Sequence, residues 1–539
     1  MSYKGSFKIF PRFKCLALDV SINRLEFVSK KLTSTIAGAF IFITLLNVLG
    51  RGLGFFREML FAKYFGMGHN FDIYLVGAVL PMTINTSMLY FAQNYFIPYY
   101  TSLKVSKYHS LAEFIYHTFY LFTIGSFSIS IVLFLFSKSI ISYFINPIDT
   151  FAYESALNIF QIFLITIPLN AIISVLISYQ QAEFKFKYPA ISRLILNLVL
   201  IPMLYFFNEA LGIYIIPLAF VIGTVLQFVY LIIKVKLNLK PYMFFVISKR
   251  SNPGLGYTII YILLIESISQ LYLLADRYFF DFVGEGGLSA LNYAGILYLL
   301  PISIISIALT TVIFPKLTTN IQRKEFEALN KNVSDAISAN LFIFVPISFF
   351  FFFYGNDLIK ILFERGKFSA ENSMITFGVL KYYTISLVFN AAYSVYNKLL
   401  YGAHLMNGLV IITISGVILK IIMNFTFVGR YQQNGLALST SISYIYFFLS
   451  SIILIKYRIP EIKHLLFFKN LFFYLITGLI CYSIVEILFD SFYTLSYYKD
   501  IFKIILFYTL FLFSLTLSDH YSVKLISSLI RTIKTAKTI

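Results

Sequence analysis

The sequence predicts an all-α integral membrane protein of about fourteen transmembrane helices, two pseudo-symmetric six-helix lobes plus two C-terminal helices. Three observations predict it. The 539 residues are 59% hydrophobic and only 12% charged, about half the charged fraction of a soluble domain, with a mean hydropathy of +0.81. Apolar runs of about 18 residues or more, long enough to cross a bilayer, recur along almost the whole chain. Lys and Arg collect in every second connection between those runs.

Taken in order, residues 1–33 mix basic and apolar residues and are broken by Pro11. They lack the compact apolar core and small-residue cleavage site of a signal peptide. They are expected to be a cytoplasmic N-terminal tail, either loose or lying on the anionic inner leaflet. The apolar runs then place spans near 34–62, 71–101, 112–136, 152–182, 189–207, 211–233, 255–282, 288–315, 336–353, 373–402, 408–428, 435–455, 467–489 and 500–518. Spans 1–6 make an N-lobe, 34–233, and spans 7–12 a C-lobe, 255–455. A cytoplasmic linker, 234–254, joins them. Spans 13 and 14 occupy 456–518, and 519–539 is a cytoplasmic tail.

The basic residues fix the expected orientation. With the N-terminus inside, the inner connections and tails hold 28 Lys and Arg, the outer ones 7, and the spans 8. That four-to-one bias obeys the positive-inside rule with both termini cytoplasmic. It also accounts for the net charge of +19 without a nucleic-acid partner. The cysteines, Cys15 and Cys481, have no metal or redox spacing.

A weak internal repeat supports two lobes. Span 2 has Leu80–Pro81 and later Ile97–Pro98; span 8 has Leu300–Pro301 and later Phe314–Pro315. The two spans lie six passes apart and so run in the same direction, as in parallel repeats of alternating-access transporters. Prolines kink helices, which makes Pro81 and Pro301 hinge candidates. Gly50, Gly52 and Gly54 are the others, since glycines weaken a helix and let backbones approach.

Charges inside the membrane cluster in the helices that open each lobe. Arg51, Arg57, Glu58 and Asp72 belong to the first, and Glu266, Asp276 and Arg277 to the second. An intramembrane charge costs about 2.5–3.5 kcal/mol on insertion scales, so each needs a reason. Arg51 and Glu58 share a helix face about 10 Å apart at 1.5 Å per residue, with Arg57 turned away by a third of a revolution. Planar guanidiniums suit phosphate, which they grip bidentately. Against this, Arg57 and Glu58 sit near a helix end, where snorkelling to the interface would explain them. Asp276–Arg277 reads equally as a local structural pair. Glu266, beside Ser267, Ser269 and Gln270, is a proton-carrier candidate if buried. Lys420 and Asn424 share a face at i, i+4. Lys420 reads as a fixed ammonium where a transporter would hold a coupling cation, or as a lysine reaching a lipid phosphate.

No phosphate-binding loop, HExxH, CxxC pair or GxSxG elbow is present. The longest outer connection, about 354–372, is too small for a catalytic domain. Neither an enzyme, a metal site nor a cofactor is expected.

"GRGLGFFREMLFAKYF" at 50–65, "FD" at 71–72 and "LP" at 80–81 resemble the first two helices of the MurJ/MviN lipid II flippases, in the multidrug/oligosaccharidyl-lipid/polysaccharide exporter superfamily. "ADRYFFDFVGEGGLSALNYAGILYLLP" at 275–301, "IFPKLT" at 313–318 and "LFERGKFSAENS" at 362–373 resemble the family's later signatures. The resemblance implies a V-shaped transporter of the bacterial inner membrane, monomeric among membrane lipids. Its central cationic cavity would take the pyrophosphate and sugars of undecaprenyl-linked peptidoglycan precursor. Spans 13 and 14 would form a groove for the lipid tail. Alternating access would be driven by Na+, H+ or the membrane potential. Arg51, Arg57 and Asp72 match family cavity residues, and Glu58 replaces the usual aspartate. The family's arginine after the span-2 Leu-Pro is missing, with Asn85 at the closest position. Its Asp-Arg pair before the span-8 Leu-Pro reads Gly295–Ile296 here. The alternatives are a flippase for another lipid-linked oligosaccharide, an O-antigen or capsule unit, or a drug or cation exporter of the same fold.

Overall fold

The computed structural model describes residues 36–105, 111–235, 253–490 and 499–517. The two expected tails and most of the 234–254 linker lie outside them. Among the described residues every regular element is helical, and the helices fall at the fourteen expected passes. Span 1 is Ile36–Phe65, span 2 His69–Val105, span 3 Leu111–Leu135 and span 4 Thr150–Ala182, which is jointed at Ile165. Spans 5 and 6 are Lys187–Leu211 and Ile215–Val235. Gly212, at φ +52°, turns the chain between them, and Gln227 comes back to Ser192.

Span 7, Pro253–Arg277, ends five residues before its expected limit. Span 8 runs from Gly287 to Gln322 and span 9 from Phe326 to Phe363. Span 10 bends by 45° between Ala370–Thr384 and Leu387–Gly402. Met406–Arg458 is one helical run of 53 residues broken at Gln432, φ +48°. A straight helix of that length would reach about 80 Å. Instead, 406–431 and 433–458 fold back on each other, with Ser415 hydrogen-bonded to Tyr446 and Phe447 over Gly416. They are spans 11 and 12. Spans 13 and 14 are Leu465–Asp490 and Lys499–Leu517.

The two proline hinge candidates part company. Pro301 is followed by a π-helical turn, Ile302–Ser306, the kind of local break that frees backbone groups for bending. Pro81 is buried inside an uninterrupted span 2, so it marks no break.

Within the N-lobe, span 4 packs on spans 2, 3 and 6, and span 5 packs on spans 1 and 6. Within the C-lobe, span 10 is central, touching spans 8, 9, 11 and 12. Spans 13 and 14 pack on span 9 and on each other. Lipid tails are as apolar as leucine, so helix association rests on close van der Waals fit at small residues. Leu196 against Gly223 and Phe349 against Gly478 leave no room for a Cβ.

The lobes meet along spans 2 and 7 and at one end of the bundle, called here the closed end. There the Lys367 amide donates to the Lys63 carbonyl at 2.9 Å and Tyr293 Oη to the Gly66 carbonyl at 3.1 Å. The His69 amide donates to Glu285 Oε1 at 3.0 Å. Gly66 and Gly286 have φ of +62° and +79°, and a side chain on either would strike backbone of the other lobe. Glycine is required at both by conformation and by space.

Candidate functional site

A cavity of about 390 Å3 lies between the lobes, below the closed end. Span 1 gives it Arg57 and Glu58, span 7 Tyr272, Asp276 and Arg277, and span 11 Lys420. Tyr74, Tyr298, Tyr383 and Tyr444 add aromatic faces and hydroxyls to its wall.

Each charge but one is paired. Arg57 Nη2 donates to Glu58 Oε1 at 2.6 Å and Nη1 to Asn197 Oδ1 at 3.3 Å. The guanidinium also lies over the rings of Phe61 and Phe220. Arg57 Nε is buried with no hydrogen-bond partner among the described residues. These contacts hold Arg57 in the cavity wall, which corrects the snorkelling alternative.

Asp276 does not pair with its neighbour Arg277. Its Oδ2 accepts from Lys420 Nζ at 2.8 Å and its Oδ1 from Asn424 Nδ2 at 3.1 Å. The i, i+4 pair on span 11 thus converges on one carboxylate of span 7. Lys420 is only 1% exposed, which corrects the reading of a lysine reaching for lipid phosphate. Arg277 donates to the Leu288 carbonyl at 3.4 Å and forms no ion pair among the described residues. The wall therefore holds three cationic and two anionic side chains, and Arg277 carries the surplus charge.

Asp72 is a correction. It was expected in the cavity wall, and it is buried at the closed end instead, 2% exposed. Its Oδ2 accepts from the Gly286 amide at 2.8 Å. Its Oδ1 accepts from the Ser289 amide at 2.6 Å and from Ser289 Oγ. Span 8 has no capping side chain of its own at Gly286. Asp72 supplies the cap from the other lobe, satisfying free amides and facing the positive end of the helix dipole. Ser289 and Gly286 were not singled out from sequence; the "GEGG" turn before an apolar run was their only signal.

Arg51 is exposed and does not line the central cavity. Asn85 also lies elsewhere: its Nδ2 donates to Thr166 Oγ1 at 2.8 Å, and it lines a second cavity inside the N-lobe with Asn170 and Gln227. Asn85 therefore does not stand in for the missing cavity arginine. Glu266 is partly buried on span 7, outside the cavity lining, with no ion pair among the described residues. Gly50 and Gly54 sit beside Leu194 and Asn197 of span 5, while Gly52 faces open space. Among the described residues no group of three or more His, Cys, Asp or Glu is placed to hold a metal ion.

The family model described as lipid II flippase MurJ matches residues 61–508. A probable lipid II flippase MurJ of Aquifex aeolicus is 28% identical over 352 residues, 64% of this chain and 67% of that one. That of Borreliella burgdorferi is 27% identical over 416 residues, 75% of this chain and 80% of its own. Among solved structures, a lipid II flippase MurJ in an inward closed conformation has a TM-score of 0.75 at 23% identity, covering 88% of this chain and 98% of that one. An inward-facing MATE family multidrug resistance transporter shares the fold more distantly, with a TM-score of 0.61 at 14% identity over 82% of this chain and 98% of its own. With a match across most of its length and a cationic cavity between two lobes, this chain belongs to the lipid II flippase MurJ family.

Proposed function

We propose that this multi-pass protein of the bacterial inner membrane flips lipid II, the undecaprenyl-linked peptidoglycan precursor, from the inner to the outer leaflet by alternating access. The observation that carries the reading is the surplus guanidinium of Arg277 in the wall of a cavity between the lobes. A diphosphate entering that cavity would find in Arg277 a donor fork that forms no ion pair among the described residues, and Arg57 in the same wall. Tyrosine hydroxyls and Gln270, Asn292 and Thr86 offer hydrogen bonds to sugars. A cationic drug would instead meet an excess of positive charge, which disfavours the exporter alternative.

Given the positive-inside bias, the closed end faces outward and both termini face the cytoplasm. On this reading the joined end is the outer one, and release requires the Asp72 cap to separate. Spans 13 and 14, packed outside span 9, are suited to guide the lipid tail past a single copy of the chain. No bond is made or broken in this cycle, and ion gradient or membrane potential supplies the drive.

The test is complementation of a bacterium depleted of its own lipid II flippase. Growth on the native chain supports the reading. Stable insertion without growth, in a host shown to accept a close relative of this chain, contradicts it.

A further inference from the structure

The second cavity, of about 270 Å3, lies inside the N-lobe among spans 2, 4, 5 and 6. It adjoins the central one, since Met82 and Thr86 line both. Phe220, whose ring carries the Arg57 guanidinium, stands in its wall. Span 5 brings Arg193 into this cavity, about 9 Å from the start of the helix at 1.5 Å per residue. Arg193 forms no hydrogen bond or ion pair among the described residues. An arginine reaching for lipid headgroups would turn to the outside of the lobe; this one lines a space bounded by four helices.

Asn85 supplies the complementary group. Thr166 Oγ1 donates to the Phe163 carbonyl at 2.6 Å, so toward Asn85 it acts as an acceptor. Asn85 Nδ2 donates to it at 2.8 Å, which fixes the orientation of the amide. Asn85 Oδ1 is left buried with no partner among the described residues. A water would satisfy that oxygen, but it gives the guanidinium no counter-charge, and the cavity lining contains no Asp or Glu. An unpaired charge within a membrane lobe is costly. One molecule would meet both needs: an oxyanion for the planar fork of Arg193, with a hydroxyl or N–H of its own for Asn85. Asn170, Thr224 and Gln227 add polar contacts to the same wall. The volume falls just below that of drug-sized sites, which suits one sugar-sized unit rather than a whole lipid-linked head group.

We propose that the N-lobe cavity is a second anion subsite. It takes a phosphorylated or carboxylated sugar, with the oxyanion on Arg193 and a hydroxyl or amide of the same unit donating to Asn85 Oδ1. A head group with two separated anionic groups then spans both cavities across Met82 and Thr86. That this sugar belongs to the flipped head group rests on the flippase reading, whereas the site itself does not.

The test is ligand protection of a cysteine in this cavity alone. Asn170 lines it and does not line the central one. The full chain carries Asn170→Cys with Cys15 and Cys481 replaced, in lipid nanodiscs, and its labelling rate by neutral methyl methanethiosulfonate is measured. Ser174→Cys, one turn further along the same wall, serves should the first variant not fold. N-acetylglucosamine 1-phosphate offers the anion as phosphate and N-acetylmuramic acid as carboxylate; N-acetylglucosamine offers none. At least one of the anionic sugars is expected to slow labelling, about tenfold at nine times its Kd, and whichever protects identifies the oxyanion. The neutral sugar should not protect. Arg193→Gln should abolish protection, and Arg277→Met, in the central cavity, should leave it intact. A cysteine that neither sugar protects, or that does not react at all, overturns the proposal. So does equal protection by N-acetylglucosamine, protection that survives Arg193→Gln in a folded protein, or protection lost in folded Arg277→Met. The readout involves no transport, so a failure of the cargo assignment leaves it unaffected.

Discussion

Replacing Asp72 by Asn should open the closed end. The carboxylate accepts three hydrogen bonds from the start of span 8, across the lobe boundary. Bonds to a charged group contribute about 1.5–3 kcal/mol each, and a negative group at a buried helix N-terminus adds up to about 2 kcal/mol. Asparagine keeps one acceptor oxygen and turns an amide against the remaining donor. Burying a neutral amide costs less than burying a carboxylate, which returns part of the loss. The net change is about 2–4 kcal/mol, a shift of roughly 30- to 1,000-fold between joined and separated ends. Spin labels at positions 69 and 285, whose residues touch across the boundary, would report it by electron–electron distance measurement, with Cys15 and Cys481 first replaced. The native chain should give a short, narrow distribution, and Asp72→Asn should add a long component. An unchanged distribution in a folded Asp72→Asn protein would refute the claim that this cap holds the end shut.

Other consequences follow from single contacts. Gly416→Ala places a methyl group into the Phe447 ring and should destabilise the span 11–12 hairpin by about 1–3 kcal/mol of overpacking, read as a lower unfolding midpoint. Gly52→Ala meets open space and should be stability-neutral or favourable by up to about 1 kcal/mol; a loss of transport without loss of folding would then mark Gly52 as a hinge. Glu183, in the turn between spans 4 and 5, accepts from Lys104 and Tyr100. The Lys104 ammonium, then the Tyr100 hydroxyl, hold its carboxyl below the usual glutamate range. That contribution is complete above the ordinary glutamate pKa and fades as pH falls through the lowered folded value. Glu183→Gln should therefore cost about 0.5–1 kcal/mol near neutral pH and nothing in strong acid, which a pH series of unfolding midpoints would resolve.

Hydropathy and basic loops made the fourteen passes legible because lipid imposes one solution, a closed helix, on every crossing. Ends were less legible: span 9 extends to 38 residues and span 7 stops at Arg277 because turns and caps, not hydropathy, terminate them. The charged residues could be found in the sequence, but their partners could not. Asp276 looked paired with Arg277 by adjacency, yet neighbours on a helix point about 100° apart, and the carboxylate instead meets span 11. Asp72 looked like a cavity residue because it is an acid in a membrane segment; its role depends on Gly286 and Ser289, over two hundred positions away. The same holds for the family-like segments at 50–72, 275–301 and 362–373. They converge on the closed end, where Gly66, Gly286 and Lys367 bring the two backbones together.

The central claim is that the cavity cations carry an anionic lipid headgroup. The most direct measurement is flipping of a labelled undecaprenyl-pyrophosphate saccharide by the purified chain in liposomes, compared with Arg277→Met and Arg57→Ala at equal, folded incorporation. Flipping by the native chain and its loss in Arg277→Met, with a partial loss in Arg57→Ala, is the expected result. Undiminished flipping by Arg277→Met would contradict the account.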